Sequence, residues 1–320
     1  MTNPHPLFAL QSYINERIIG QEGLTLRLFV AILAEGHLLV EGAPGLAKTR
    51  AIKELSSGLA STFRRIQFTP DLLPGDLTGT EIYRPQEGTF HFKQGPIFHN
   101  IILADEINRA PAKVQSALLE AMGEQQVTVA DETYILPKLF MVMATQNPLE
   151  QEGTYPLPEA QLDRFLLHVK IDYPSIEAER AILKLSREDA RSLHTAKLPQ
   201  KVQEADIFSA RRAVLDLHLS DALEEYIVQI IAATRDPSAY SEKLSSWIQY
   251  GASPRATIAL DRCARAHAWL AGRDYVEPED IHAMIHDVLR HRLILSFEAD
   301  AAGITTDDFI TELVSKIGVP

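Results

Sequence analysis

The sequence is poor in several features that mark specialised classes of protein. It has one cysteine, Cys263, among 320 residues. One cysteine cannot form an intrachain disulfide or supply a cysteine cluster for zinc or iron and sulfur, and it favours a reducing compartment. The 16 glycines and 18 prolines are too few for a collagen-like or disordered chain. Cys263 falls within an apolar helical pattern, so we expect it to be a small buried hydrophobe.

Long apolar runs and an excess of positive charge are also missing. No apolar stretch approaches the roughly 18 residues that a membrane-spanning helix needs, and residues 1–10 lack a basic segment followed by an apolar one. We therefore expect a cytoplasmic protein. The 31 basic and 43 acidic side chains give a net charge of −12, which disfavours binding to nucleic acid but does not exclude a local basic patch.

The first half of the chain alternates between helix and strand patterns. Two helical patterns, 7–16 and 23–35, precede the first strand, and a helical pattern at 48–58 follows it. The strand candidates are short and apolar, which is typical of a parallel sheet covered on both faces. They cover residues 37–41, 63–68, 100–104, 139–144 and 165–171.

After Tyr173 the strand patterns stop and helical patterns continue. These helices are predicted at residues 176–190, 206–217, 221–234, 254–271 and 278–295. Because domains commonly contain about 150 residues, the length suggests two of them. We therefore predict an α/β domain over residues 1–173 and an all-helical domain over residues 174–320.

Two stretches interrupt the first domain with alternating apolar and polar residues. In the first, residues 80–83 and 89–92 flank a polar tip, and in the second, residues 126–129 and 134–136 flank residues 130–133. Each pattern predicts a β-hairpin.

A glycine-rich loop joins the first strand to the helix that follows it. Residues 42–49 read Gly-Ala-Pro-Gly-Leu-Ala-Lys-Thr, close to the phosphate-loop pattern in which a second glycine precedes Lys and Ser or Thr. Ala47 stands in place of that glycine. Helix N-terminal amides attract anions, and we expect Lys48 to neutralise phosphates and Thr49 to bind Mg²⁺. Taken alone, the loop could also be an ordinary turn before a helix.

A second motif argues for nucleotide chemistry. The apolar strand at 100–104 delivers Asp105 and Glu106 at its C-terminal end, where open parallel sheets bind ligands. Asp105 is expected to hold Mg²⁺, and Glu106 to act as the general base that activates water. Asn147 follows the strand at 139–144 and could position that water, although it could equally cap a loop.

Two arginines occupy notable positions outside these motifs. Arg164 opens the last strand of the first domain, and Arg255 opens a helix of the second domain. The planar guanidinium suits phosphate recognition, but surface arginines are common, and spacing alone favours salt bridges for both.

Together these motifs resemble the AAA+ ATPases and, within them, the MoxR family, in which Ala47 is the usual residue of the phosphate loop. The stretches that carry the resemblance are spread over most of the chain. They are residues 18–21, 42–49, 103–110, 144–148, 157–165 and 251–255.

The resemblance implies a role for each matching residue. Ile18, Ile19 and Gly20 would contact adenine. The nucleotide phosphates would contact Gly42, Ala43, Pro44, Gly45, Leu46, Ala47, Lys48, Thr49 and Arg50, with Thr49 and Asp105 at the metal. Glu106 would be catalytic and Asn147 the first sensor. Arg164 would be the finger that reaches a neighbouring subunit's nucleotide, Arg255 the second sensor acting on its own subunit, and Arg109 a rival or additional trans-acting arginine.

The implied fold is a five-stranded parallel sheet of order 5-1-4-3-2 with a helical lid, assembled as a ring, commonly a hexamer. The hairpins match insertions that mark the clade containing MoxR proteins and magnesium chelatase subunits. They would be either solvated additions or surfaces that grip a substrate or partner, with Tyr83, Phe90 and Phe92 as contacts.

The function implied is that of a chaperone-like motor that uses ATP and Mg²⁺ to remodel a partner protein. Proteins of this family resemble one another in working with partners that carry a von Willebrand factor A domain, in maturation or metal insertion. Two alternatives remain. One is a nucleic-acid motor, for which the hairpins offer few basic residues, and the other is an ATP-occupancy switch with little turnover, which Glu106 and Asn147 argue against.

Overall fold

The computed structural model describes residues 5–130, 132–148, 153–191, 198 and 200–320. Asp131, within the predicted tip of the second hairpin, lies outside the described residues. The strands in chain order are β1 Leu38–Glu41, β2 Phe63–Gln67, β3 Gly79–Arg84, β4 Thr89–Gln94, β5 Ile101–Asp105, β6 Gln126–Val129, β7 Glu132–Ile135, β8 Met141–Gln146, β9 Leu167–Lys170, β10 Ile248–Tyr250 and β11 Ile294–Leu295.

The α-helices precede, separate and follow these strands. They are α1 Pro6–Arg17, α2 Glu22–Leu33, α3 Lys48–Gly58, α4 Pro74–Thr78, α5 Ala112–Glu124, α6 Glu159–Leu162, α7 Ile176–Ala190, α8 Glu204–Leu215, α9 Asp221–Arg235, α10 Glu242–Trp247, α11 Pro254–Leu270, α12 Pro278–Leu289, α13 Phe297–Ala301 and α14 Thr306–Lys316.

The main sheet is parallel and has the strand order β2-β5-β8-β1-β9. Counting only these five strands along the chain and reading from the β9 edge, the order is 5-1-4-3-2, which confirms the expected topology. Strand β1 therefore lies inside the sheet, and the loop that follows it emerges between the ends of β8 and β9. The hairpins β3–β4 and β6–β7 form separate two-stranded sheets.

Both faces of the sheet are buried, because side chains alternate between two hydrophobic clusters. In β1, Leu38 and Val40 belong to one cluster and Leu39 to the other. The first cluster is continuous with α1, α2 and the helices after α7, so that Phe29 and Leu260 belong to the same core. This explains why the inner strands β1, β5 and β8 are apolar over most of their length, whereas the edge strand β2 carries the exposed Arg64, Arg65 and Gln67.

One predicted helix is wrong at its end. The expected helix over residues 278–295 stops at Leu289, and Ile294–Leu295 pairs with β10 as strand β11. The chain turns after Leu289, and His291 and Arg292 bind the carbonyl of Phe165 at 3.0 Å and 2.6 Å. Within the described residues, no helix is long and apolar enough to cross a membrane.

Candidate nucleotide site

The loop after β1 folds around left-handed backbone positions. Gly45 has φ +87° and Ala47 has φ +58°, so Ala47 adopts a conformation that costs an L-residue roughly 1–2 kcal/mol. Such turns aim successive amides into one concavity that suits an anion. A Cβ on Gly42 would lie 2.4 Å from Ile171 Cγ1, so the start of the loop has no room for a side chain.

Lys48 is the first residue of α3 and lies over this loop. Its ammonium donates to the carbonyl oxygen of Gly42 at 2.6 Å and approaches that of Gln146 at 3.5 Å. These contacts hold the cation at a cavity of about 340 Å³. The cavity is lined by Pro44, Gly45, Leu46, Ala47, Lys48, Thr49, Arg50, Asp105, Glu106, Thr145 and Asn147.

The carboxylate of Asp105 is fixed by two neighbouring strands. Its Oδ1 accepts the Thr145 hydroxyl of β8 at 2.6 Å, and its Oδ2 accepts the Arg65 guanidinium of β2 at 2.7 Å. Thr145 is buried, so this bond is shielded from water. Asp105 therefore reaches the cavity in a defined orientation.

Glu106 also has an unusual backbone and two side-chain partners. Its φ of +59° is left-handed, a strained geometry that is often found at functional sites. Its Oε2 accepts Gln67 Nε2 at 2.8 Å and Arg109 Nη1 at 3.1 Å. Its amide donates to the Thr145 hydroxyl at 2.9 Å, so one threonine holds both acids.

These groups fit a magnesium-bound triphosphate. The cavity offers loop amides and one lysine for phosphate oxygens, and the Thr49 hydroxyl and Asp105 carboxylate are the oxygen ligands that Mg²⁺ prefers. Asn147 lines the same cavity and is buried. Lys48, Thr49, Asp105, Glu106 and Asn147 are thus brought together at the C-terminal edge of the sheet.

A second cavity of about 470 Å³ adjoins the first and shares Pro44 to Ala47 and Arg50 with it. Ile18 and Ile19 line it from one side and the apolar residues of α7 from the other. Gly20 does not line it. A Cβ on Gly20 would come within 2.9 Å of Ala178 Cβ, so this glycine lets the 18–20 turn pack against α7. The apolar side chains of this cavity are suited to the faces of a planar aromatic base.

Helix α7 is held over this cavity by ion pairs that the sequence motifs do not reveal. Arg50 Nη2 lies 2.9 Å from Asp189 Oδ2, and Arg17 Nη2 lies 3.9 Å from the same oxygen. Because Arg50 lines both cavities, it links the phosphate loop to α7.

The other end of the sheet carries a group of arginines. A cavity of about 320 Å³ lies at the N-terminal ends of β1 and β9. It is lined by four arginines, two acids and His37 among other residues; these charged residues are Arg164, Arg255, Arg262, Arg292, Glu35 and Asp163. We call this surface the N-terminal edge.

Asp163 organises the N-terminal edge. Its Oδ1 pairs with Arg292 Nε at 2.8 Å, and its Oδ2 lies 3.7 Å from Arg255 Nη1 and accepts the Ser253 hydroxyl at 3.1 Å. Burial lowers the pKa of Arg292, and the bond to Asp163 opposes that shift. The buried positive charge of Arg292 is therefore stabilised by the carboxylate of Asp163.

Arg164 packs against the end of α5. Its Nη1 donates to the carbonyl of Leu119 at 2.5 Å, and a Cβ on Gly123 would lie 3.6 Å from the same nitrogen. The arginine is thus held at the surface of its own subunit, at the N-terminal edge.

The expected position of Arg255 beside its own subunit's phosphates is not what the structure has. Arg255 lies at the N-terminal edge with Asp163, and its cavity shares no lining residue with the phosphate cavity. The four residues of β1 separate the two ends by about 13 Å at 3.3 Å per residue. The physical reason is that the turn before α11 docks on the segment before β9 through the Ser253–Asp163 bond.

Arg109 lies on the opposite edge from Arg164, bound to Glu106 of its own chain. That contact favours Arg164 over Arg109 as the finger, and the trans role of either residue stays a prediction.

The two hairpins pack on each other. Phe92 of β4 stacks on Tyr134 of β7 with ring centroids 3.9 Å apart, so Phe92 is engaged within the chain and is not the free contact expected from the sequence. Tyr83 and Phe90 form a cross-strand pair and are 51% and 65% exposed. These two aromatic residues remain available for a partner.

Comparison with known proteins gives consistent matches. Residues 37–167 match the family described as ATPase family associated with various cellular activities (AAA), and residues 244–313 match the AAA lid domain. The chain is 44% identical to Chaperone MoxR1 of Mycobacterium tuberculosis, over 95% of this chain and 79% of that protein. It is 31% identical to Protein MoxR of Methylorubrum extorquens, over 92% of this chain and 90% of that one.

A solved structure shares the whole fold. This is a protein from Cytophaga hutchinsonii, named provisionally as an ATPase, whose crystal structure was determined at 2.00 Å. It superposes with a TM-score of 0.90 at 45% identity and covers 98% of this chain and 95% of its own.

Proposed function

Because this chain belongs to the MoxR family of AAA+ ATPases, we propose that it hydrolyses ATP to ADP and phosphate at the C-terminal edge and uses the energy to remodel a partner protein. The observation that carries the proposal is the convergence of Lys48, Thr49, Asp105, Glu106 and Asn147 on one cavity of about 340 Å³. We also propose a division into an α/β unit to residue 173 and a helical unit after it, which the end of the main sheet at Lys170 supports.

Each residue of the proposed site has a separate role in hydrolysis. Bound Mg²⁺ supplies divalent positive charge that neutralises the phosphates. The loop amides and Lys48 orient the phosphate tail, Glu106 accepts a proton from the attacking water, and Asn147 orients that water. Gln67, Arg109 and Thr145 hold Glu106 in place before the reaction.

The site is proposed to be completed by a second copy of the chain. The guanidinium groups that could stabilise charge on the transferred phosphate, Arg164 and Arg255, lie at the N-terminal edge. In a head-to-tail ring, commonly a hexamer in this family, the N-terminal edge of one subunit faces the C-terminal edge of the next. The position of Arg255 supports a trans role for both arginines.

Turnover is tested by replacing the base. Glu106→Gln keeps the shape of the side chain but removes the proton acceptor, so we expect ATP hydrolysis to fall by about 10²–10⁴-fold while ATP binding persists. Glu224→Gln, an exposed position on α9, is the matched control. Unchanged hydrolysis in Glu106→Gln would contradict the proposed site.

The partner is proposed to be a protein, with a von Willebrand factor A domain protein as the adaptor or client and the cytoplasm as the location. The exposed Tyr83 and Phe90 support a protein contact. Arg84 and Lys93 in hairpin β3–β4 are balanced by Glu81 and Glu87, which disfavours a nucleic-acid motor because phosphate binding requires a basic surface.

The client proposal is tested with the trapped protein. Glu106→Gln loaded with ATP should retain a client that the ADP-loaded protein releases, and Tyr83→Ser with Phe90→Ser in the same background should lose it. Equal capture with ATP and ADP, or capture unaffected by the hairpin changes, would contradict the proposed mode of binding. Salt-sensitive DNA binding that stimulates ATP hydrolysis would instead support the nucleic-acid motor.

A further inference from the structure

Arg262 has no assigned role, and it faces the same cavity as Arg164 and Arg255. It lies on α11 seven residues after Arg255, and Ile258 and Ala259 between them line the cavity too. Residues separated by three, four and seven positions share one face of a helix. Two turns of α11 therefore present two guanidinium groups to one space.

The charges of this cavity do not balance among the residues that the structure describes. Glu35 pairs with Arg211 at 2.9 Å, and Asp163 pairs with Arg292 at 2.8 Å, so both acids are already engaged. Burial lowers the pKa of His37 to about 4, and its Nδ1 accepts the amide of Val142 at 3.1 Å. His37 is thus neutral, and the excess positive charge comes from the arginines.

The guanidinium of Arg262 has neither an ion pair nor a hydrogen bond with any residue that the structure describes. By contrast, Arg265, one turn further along α11, pairs with Asp261 at 2.8 Å. Three arginines, Arg164, Arg255 and Arg262, therefore surround a cavity of about 320 Å³ without a full set of carboxylates. Positive charges that line one cavity repel one another, and an anion bound between them would relieve that repulsion.

We infer that Arg262 is a third trans-acting arginine, which binds the phosphates of the nucleotide held by the neighbouring subunit. The inference rests on the proposed ring, in which this edge faces the phosphate cavity of the next copy. A triphosphate supplies several anionic oxygens for planar guanidinium groups. Arg262 is then a phosphate contact that appears only on assembly.

The test measures assembly in the Glu106→Gln background, so that ATP is not consumed. Sedimentation velocity gives the ATP concentration at half-maximal assembly. Arg262→Ala should raise that concentration about tenfold, as expected for one lost charge-assisted contact, and Arg262→Lys by less, because it keeps the charge but loses the fork. Arg212→Ala, exposed on α8 outside the cavity, should change nothing.

A second measurement separates assembly from binding within one subunit. ATP affinity of dilute, unassembled protein should be the same for Arg262→Ala and its parent. Assembly at unchanged ATP concentration in Arg262→Ala and Arg262→Gln would overturn the inference, as would an equal loss of affinity in the unassembled chain. Saturation of the cavity by inorganic triphosphate in the unassembled chain would also overturn it, since the cavity would then be a free anion site.

Arg164→Ala distinguishes this inference from the proposed function. If Arg164→Ala impairs ATP-dependent assembly and Arg262→Ala does not, only the role of Arg262 is wrong. If neither change affects assembly or turnover, the trans arrangement of the proposed function is wrong as well.

Discussion

The two ends of the central sheet differ in how completely their charges are matched. At the C-terminal edge, Lys48 binds two carbonyls, Asp105 binds Arg65, and Glu106 binds Gln67 and Arg109. At the N-terminal edge, Arg255 is 65% exposed and lies 3.7 Å from its carboxylate, and Arg262 has no bond within the described chain.

This difference indicates which end of the sheet is already organised within a single subunit. The C-terminal edge is preorganised by its own chain, as electrostatic catalysis requires, whereas we propose that the N-terminal edge is completed by an anion on assembly. The comparison therefore predicts that changes at the C-terminal edge affect nucleotide binding or chemistry within one subunit. Changes at the N-terminal edge should affect only the assembled protein or the docking of the helices after α7.

The largest effect is expected from Arg164→Ala. Removal of a trans arginine should lower ATP hydrolysis by about 10³-fold or more, with ATP affinity of the unassembled chain unchanged. Steady-state phosphate release and equilibrium binding measure the two quantities, and Arg212→Ala is the control. Loss of affinity in the unassembled Arg164→Ala chain would break the distinction between the two edges.

Asp163→Ala tests how much the ion pair at the N-terminal edge contributes to the free energy of unfolding. It leaves the buried Arg292 without its carboxylate, and breaking a buried pair in this way typically costs about 3–5 kcal/mol. Denaturant unfolding should show that decrease, and the exposed Asp216→Ala should not. A change below 1 kcal/mol in Asp163→Ala would mean that Arg292 is satisfied by carbonyls alone.

Lys48→Ala tests phosphate binding at the C-terminal edge. Loss of one charge-assisted contact to phosphate should weaken ATP binding roughly 10- to 100-fold, from about 1.5–3 kcal/mol. Lys53→Ala, exposed on the same helix α3, serves as the matched control in isothermal titration. Equal affinities for Lys48→Ala and Lys53→Ala would place the phosphates elsewhere.

The smallest effect is expected from Thr145→Val, which preserves shape but removes the hydroxyl that joins both acids. The amide of Glu106 then loses its acceptor, which should lower the free energy of unfolding by about 1–3 kcal/mol and slow hydrolysis. Thr80→Val on β3 is an exposed control. Wild-type stability and turnover in Thr145→Val would show that Thr145 does not position the acids.

Most of the fold and the C-terminal edge could be predicted from the sequence. Contiguous motifs such as residues 42–49, and the acids that end a strand, are tied to parallel-strand topology, so their meeting point is predictable. The left-handed backbone of Glu106 and the bonds from Arg65 and Gln67 are not predictable from the motifs, although Arg65 and Gln67 are alternate residues of β2, the edge strand next to β5. The N-terminal edge could not be predicted, because it joins Arg164 to Arg255 and Arg262 through docking of α11.

Mixing two impaired variants tests the central claim most directly. Arg164→Ala retains an intact phosphate cavity, and Lys48→Ala retains an intact N-terminal edge, so an interface between them contains one complete site. At an ATP concentration too low to saturate Lys48→Ala, either variant alone should hydrolyse ATP slowly. If each subunit's site is completed by its neighbour, mixtures should recover ATP hydrolysis, with a maximum at an intermediate ratio. Absence of recovery at every ratio, in mixtures shown to co-assemble, would contradict that claim.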